Sequence, residues 1–275
     1  MLQRVKDWIG TVAFLLGFAV VMVGFDPFVR IACWIGPRAN DYTIGALQVA
    51  LIWTLRLCGA RVEVEKSPRV KPHTTYIVVS NHQSMFDIPI FGWALFTNFP
   101  KYISKVELSR WLPSVSAELR SGGHALIDRK DRDSAVKAIH QLGERILEHG
   151  GSAVIYPEGT RARGGVLGTF KPRGTVALLE QAPQIPVVPV CLDNSWRILV
   201  NKMMPIPWGI RLRCWIGDPI ERRPDEDPYA LVAEIEHQIR TTMARFRGEP
   251  APERPTAPHP SPSPDEGIAP AKEVR

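Results

Sequence analysis

The first strong feature of the chain is a block of apolar residues. Trp8–Phe25 runs 18 residues without a charge, about the shortest helix that crosses the hydrocarbon core of a bilayer. A second apolar stretch, Ile44–Gly59, is broken only by Gln48 and Arg56. Eight residues apart, these fall about 80° from each other around a helix, giving a mostly apolar cylinder with one polar seam. The pattern predicts two helices. They form a membrane hairpin that spans the bilayer or lies in one leaflet, or the second is a buried helix of the domain that follows. A cleaved signal peptide is the rival for the first, but Val23-Gly24-Phe25 offers no small-x-small site.

From about residue 60 the period changes. Arg61–Lys66, Thr75–Ser80, Lys101–Lys105, His124–Asp128, Ser152–Tyr156, Val187–Leu192 and Arg211–Ile216 read as strands. Between them Ile88–Phe96, Asp133–His149, Gly174–Gln181 and Tyr229–Phe246 read as helices, the longer two with apolar residues on one stripe. The alternation predicts an α/β fold, a mixed and largely parallel sheet covered by helices. It divides the chain into an N-terminal helical segment (1–59), an α/β domain (60–247) and a tail (248–275). The tail holds eight prolines and few large apolar residues, too little to offset its ordering entropy, and is expected to be disordered.

Composition narrows the class. A chain that is 45% hydrophobic and 23% charged is not wholly disordered, and with one uncharged apolar run near 18 residues it is not a polytopic membrane protein. Cys33, Cys58, Cys191 and Cys214 form no Cys-x-x-Cys pair, so neither a zinc ribbon nor a disulfide scaffold is expected, and no metal site is. Net charge is +6, and three basic against five acidic residues in the tail leave +8 on the body, an excess suited to anionic partners. No basic-aromatic module for nucleic acid is present. Arg30 and Arg38 between the helices, and Arg61, Lys66, Arg69 and Lys71 after them, place the α/β domain on the cytoplasmic side.

Four segments carry candidate chemistry, and three follow a strand, where α/β proteins place their sites. The first is Asn81-His82-Gln83-Ser84-Met85-Phe86-Asp87. On a continuous helix positions five apart lie about 140° from each other and do not meet. With His82 on the loop and Asp87 in the first helical turn, the carboxylate can reach Nδ1–H and leave Nε2 as a general base. The alternative is an ordinary strand-to-helix turn with Asp87 complementing the helix dipole. The second is Gly122–Arg129, where Arg129 can hold a phosphate through two parallel hydrogen bonds or belong to a solvated basic cluster. The third, Tyr156-Pro157-Glu158-Gly159-Thr160-Arg161-Ala162-Arg163, combines flexible backbone with charge. No Lys-Ser/Thr pair follows it, so it is not a nucleotide phosphate loop. In the fourth, Ile185–Val190, two prolines cannot donate to a ladder, which predicts a strand near an edge or at a bulge.

In this order the four segments resemble the motifs of the glycerolipid acyltransferases, in particular 1-acylglycerol-3-phosphate acyltransferases. Asn81, His82 and Asp87 match Asn-His-x-x-x-x-Asp; Gly123, Ile127 and Arg129 match the second motif. Pro157, Glu158, Gly159, Thr160 and Arg161 match the third, with Tyr156 in place of phenylalanine and Ala162 in place of serine. The resemblance covers about residues 60–220 and implies a glycerol-3-phosphate acyltransferase-like fold. It implies catalysis by His82 and Asp87, and an acceptor and phosphate site of Arg129, Glu158, Gly159, Thr160 and Arg161, in which Glu158 shapes the site or contacts the acceptor directly. The acceptor is a lysophospholipid; the acyl donor is acyl-CoA or acyl carrier protein, with no cofactor. The protein is expected at a membrane, the inner one if bacterial, with phospholipid as partner and no nucleic acid. The oxyanion is expected to find backbone N–H donors at the start of the helix around Met85. Rival functions are acylation of another lyso-lipid, such as a lyso-ornithine lipid, or lipid binding without catalysis.

Overall fold

The computed structural model describes residues 1–110, 112–127, 132–223 and 225–254. Asp128, Arg129 and most of the tail lie outside the described residues. Two helices come first, α1 (Leu2–Ile35) and α2 (Pro37–Thr54). Then follow β1 (Arg61–Lys66), β2 (Ile77–Ser80), α3 (Asp87–Ala94), β3 (Pro100–Lys105), α4 (Val115–Ser121) and β4 (Ala125–Ile127). The remainder is α5 (Arg132–His149), β5 (Ser152–Ile155), α6 (Pro172–Gln181), β6 (Val187–Asp193), β7 (Arg211–Ile216) and α7 (Pro228–Arg247).

Among the described residues seven strands form one sheet in the order β1-β7-β6-β2-β5-β3-β4. Every pair is parallel except β6 with β7. The mixed, largely parallel sheet is therefore as expected. Alternation along β2 shows how it is sandwiched. Val78 faces a core containing Phe14, Phe86, Phe91, Val188 and Leu212, and Ile77 and Val79 face Leu142, Ile155, Leu178 and Ile235. The first core lies under α1 and α3, the second under α5, α6 and α7.

The proline-bearing strand β6 is not at an edge, and that half of the expectation is corrected. It lies between β2 and β7. Pairing with the β7 side shifts by one residue between Val187↔Ile220 and Val190↔Ile216. Pro189 sits in that interruption and accepts from Gly217 N–H (2.9 Å). The bulge supplies a place where no donor is required.

The N-terminal helices pack against the α/β body along their length. Asp7 and Thr11 accept from the backbone N–H groups of Trp208 and Ile206, both at 2.8 Å. Farther along α1, Asp26 accepts from Ser114 N–H (2.6 Å) and Met22 O from the Ser114 hydroxyl (2.8 Å). From α2, Asp41 pairs with Lys101 and Asn40 with Glu118. The opposite side of α1 is also apolar and is exposed: Val5, Ile9, Val12, Leu16, Val20 and Val23 recur every three or four residues. Among the described residues α1 is the one helix long and apolar enough to cross a membrane.

Candidate active site

The neighbouring strands β5, β2 and β6 end together, and each contributes to one site at their carboxyl ends. Leaving β2, the Asn81 side chain clamps it to β6, donating to Leu192 O and accepting from Leu192 N–H, both at 2.8 Å. Residues 81–84 stay out of the helix, which begins at Asp87. The turn lets positions five apart meet: His82 Nδ1 lies 2.7 Å from Asp87 Oδ2. The same oxygen accepts from Gln83 N–H (2.7 Å) and Ser84 N–H (2.9 Å). Asp87 is fully buried, and its carboxylate meets hydrogen-bond donors at both oxygens. An ionised carboxylate only accepts, so Nδ1 carries the proton and Nε2 the free lone pair. Nε2 has no partner among the described residues, and the ring is 16% exposed.

The third motif follows β5 and supports the histidine from below and behind. Tyr156 stacks on the imidazole with ring centroids 4.1 Å apart and planes 19° from parallel. Glu158 is buried, and its two oxygens accept from His82 N–H (2.7 Å) and Gly168 N–H (2.8 Å). Burial pushes its carboxyl up, opposed by those two amides and by His82. Glu158 thereby ties the His82 backbone to the loop at Gly168. Gly159 holds φ at +69°, in the left-handed region that favours glycine. The loop then returns, and Ala162 N–H donates to His82 O (2.7 Å). Gly159, Thr160 and Arg161 are exposed on this loop. Arg161 therefore stands one residue from a backbone contact to His82, without an acidic partner among the described residues. Lys105, at the end of β3, is exposed at the same sheet edge. Arg129 lies outside the described residues.

Two features differ from expectation. The amides of the turn are mostly occupied. Gln83 and Ser84 donate to Asp87, Phe86 to Ser84 Oγ (3.0 Å) and Asp87 to Ser84 O (3.2 Å). Of the expected oxyanion donors near the helix start, the Met85 and Ile88 N–H groups have no acceptor among the described residues. The second is Ser195, fully buried, whose Oγ donates to Asp87 Oδ1 at 2.5 Å. Nothing in its local sequence signals this, since the partner is 108 residues away. Among the described residues no three His, Cys, Asp or Glu side chains gather as metal ligands.

Tyr156 also carries a testable cost. Its hydroxyl is buried with no partner among the described residues, and such a group costs about 1–3 kcal/mol. Tyr156→Phe keeps the ring and removes the orphan oxygen. It is expected to retain activity and to raise the melting temperature; a lower one shows that the hydroxyl has a partner in solution.

An acyltransferase family profile matches residues 61–193. The sheep 1-acyl-sn-glycerol-3-phosphate acyltransferase alpha is 30% identical over 208 residues, covering 74% of this chain and 70% of that protein. The human beta enzyme of the same name is 31% identical over 196 residues, 70% of this chain and 68% of that one. The crystal structure of the 1-acyl-sn-glycerophosphate acyltransferase PlsC from Thermotoga maritima shares the fold. Its TM-score is 0.72 at 21% identity, covering 91% of this chain and all of that one.

Proposed function

This chain belongs to the acyltransferase family, with the 1-acyl-sn-glycerol-3-phosphate acyltransferases as relatives, and from that premise we infer its reaction. It transfers an acyl group from a thioester to the free hydroxyl of 1-acylglycerol-3-phosphate, giving phosphatidic acid. The observation that carries this reading is the His82–Asp87 pair, 2.7 Å apart at the mouth of the sheet with Nε2 unpartnered among the described residues. Nε2 takes the hydroxyl proton as that oxygen attacks the thioester carbonyl. The carbonyl becomes a tetrahedral oxyanion, the C–S bond breaks, and the imidazolium returns its proton to the leaving thiolate. Asp87 keeps the ring in the Nδ1–H tautomer and stabilises the imidazolium. The donor is acyl-CoA or acyl carrier protein, and no cofactor enters. The test is release of thiol that depends on the lyso-lipid acceptor.

Phosphate recognition is assigned to Arg161, with Gly159 and Thr160 on the same exposed loop, and to Arg129. Arg161→Ala is expected to raise the KM for 1-acylglycerol-3-phosphate and to leave that for the donor nearly unchanged. Loss of a charge-assisted bidentate contact costs on the order of 2–3 kcal/mol, and uniform binding of a non-reacting group appears in KM. An equal loss with an acceptor lacking phosphate would make the role structural.

The protein acts at a membrane surface, with its α/β domain on the cytoplasmic side. A helix held to the domain near both ends, through Asp7 and Thr11 and through Met22 and Asp26, is suited to lie in one leaflet with its exposed apolar stripe in lipid. Such a placement keeps the acceptor's chains in the bilayer while its headgroup reaches His82.

A further inference from the structure

The Asp87 carboxylate is unevenly supplied. Oδ2 accepts from His82 Nδ1–H and from two backbone amides. Oδ1 has one donor among the described residues, the Ser195 hydroxyl at 2.5 Å. Both side chains are fully buried, so no bulk water replaces that proton if it is removed.

The placement of Ser195 is built from several elements. β6 ends at Asp193, whose carboxylate is held by Arg247 at the end of α7 (2.7 Å). Asn194 then turns with φ at +69°, uncommon for a residue with a side chain. Its Nδ2 donates to Arg211 O (3.1 Å). The turn sends the next residue back across the end of β2. Ser195 Oγ lies 3.5 Å from Gln83 Oε1, a full ångström farther than from Asp87, so its single proton goes to the carboxylate.

We propose that Ser195 is a positioning residue of the His82–Asp87 pair: it fixes the carboxylate plane through Oδ1, so that Oδ2 faces Nδ1, and it takes up part of the carboxylate's charge. This rests on the reading of His82 as general base. Losing the hydroxyl leaves the plane free to swing about the Cβ–Cγ bond, which lowers turnover. It also concentrates negative charge on the imidazole side, so the imidazolium persists to higher pH and the acidic limb of the rate profile moves up.

Among the described residues the other groups facing the pair do not change with this substitution. They are Tyr156 and Glu158 after β5, Cys214 from β7, and the Asp193–Arg247 ion pair from β6 and α7. Burial keeps the Tyr156 phenol and the Cys214 thiol protonated. Glu158 contributes alike to wild type and variant.

The experiment measures kcat and both KM values against pH for the full-length protein, Ser195→Ala, Ser195→Thr and His82→Ala, with 1-acylglycerol-3-phosphate and an acyl thioester. Ser195→Ala is expected to lose about tenfold in kcat at the plateau with KM values unchanged. Its acidic limb is expected to rise by about half a pH unit or more, and Ser195→Thr to return both toward wild type. Unchanged kcat, a limb that stays or moves down, or no rescue by threonine overturns the proposal. If Ser195→Ala does not fold, Ser195→Cys, with a much weaker donor, carries the same comparison. Activity surviving in His82→Ala instead removes the general-base reading itself, which separates the two failures.

Discussion

His82→Ala is expected to lower turnover by about 10²–10⁴-fold, the usual contribution of a positioned general base, and to leave the protein folded. The ring is partly exposed and its backbone contacts, to Glu158 and from Ala162, do not need it. Asp87→Asn is expected to lose comparable activity and some stability. An amide carries no charge to stabilise the imidazolium, and with its oxygen toward His82 its NH₂ meets the single Ser195 oxygen, leaving a buried N–H unpaired. Steady-state rates with thermal unfolding on the same samples check both. A His82→Ala enzyme retaining more than about a tenth of wild-type turnover contradicts the base assignment.

Removal of residues 1–59 is expected to cost both membrane binding and catalysis. Phe14 of α1 is fully buried and lies 5.7 Å, ring to ring, from Phe86, the residue before Asp87. Leu55 and Cys58 are buried in the same core. Stripping them exposes the floor of the catalytic turn, and the single change Phe14→Ala should already cost about 3–5 kcal/mol. A dispensable anchor would leave full activity toward a short-chain, water-soluble acceptor; helices that complete the core abolish it with either acceptor. For the intact chain, the exposed apolar stripe of α1 should outweigh charge attraction. Detergent should extract the protein and high salt should not. Release by salt alone contradicts the membrane assignment.

Much of this fold is legible in the chain because its period changes with its surroundings. Arg61–Lys66 and Arg211–Ile216 are strands over those same residues, since alternation between a covered and an open face leaves a period of two. The His82–Asp87 contact is also legible, because only a bend after β2 makes a spacing of five productive. The rest is hidden for identifiable reasons. α4 (Val115–Ser121) is too short for a helical period, and it starts after Pro113 and a positive φ at Ser114. For Glu158 the motif shows the residue but not the two amides its oxygens accept from. Ser195 beside Asp87 and Tyr156 against His82 depend on strand order. A sequence does not display an order in which β6 neighbours β2.

The most direct measurement is made on purified full-length protein in lipid or detergent micelles. Thiol release from acyl-CoA and from acyl carrier protein is followed with and without 1-acylglycerol-3-phosphate, and the lipid product is weighed against it. Acyl transfer by His82 predicts thiol release that requires the acceptor, phosphatidic acid in equal amount, and neither with His82→Ala. Thioester cleavage indifferent to the acceptor, or preferred transfer to a lyso-lipid lacking phosphate, would contradict it.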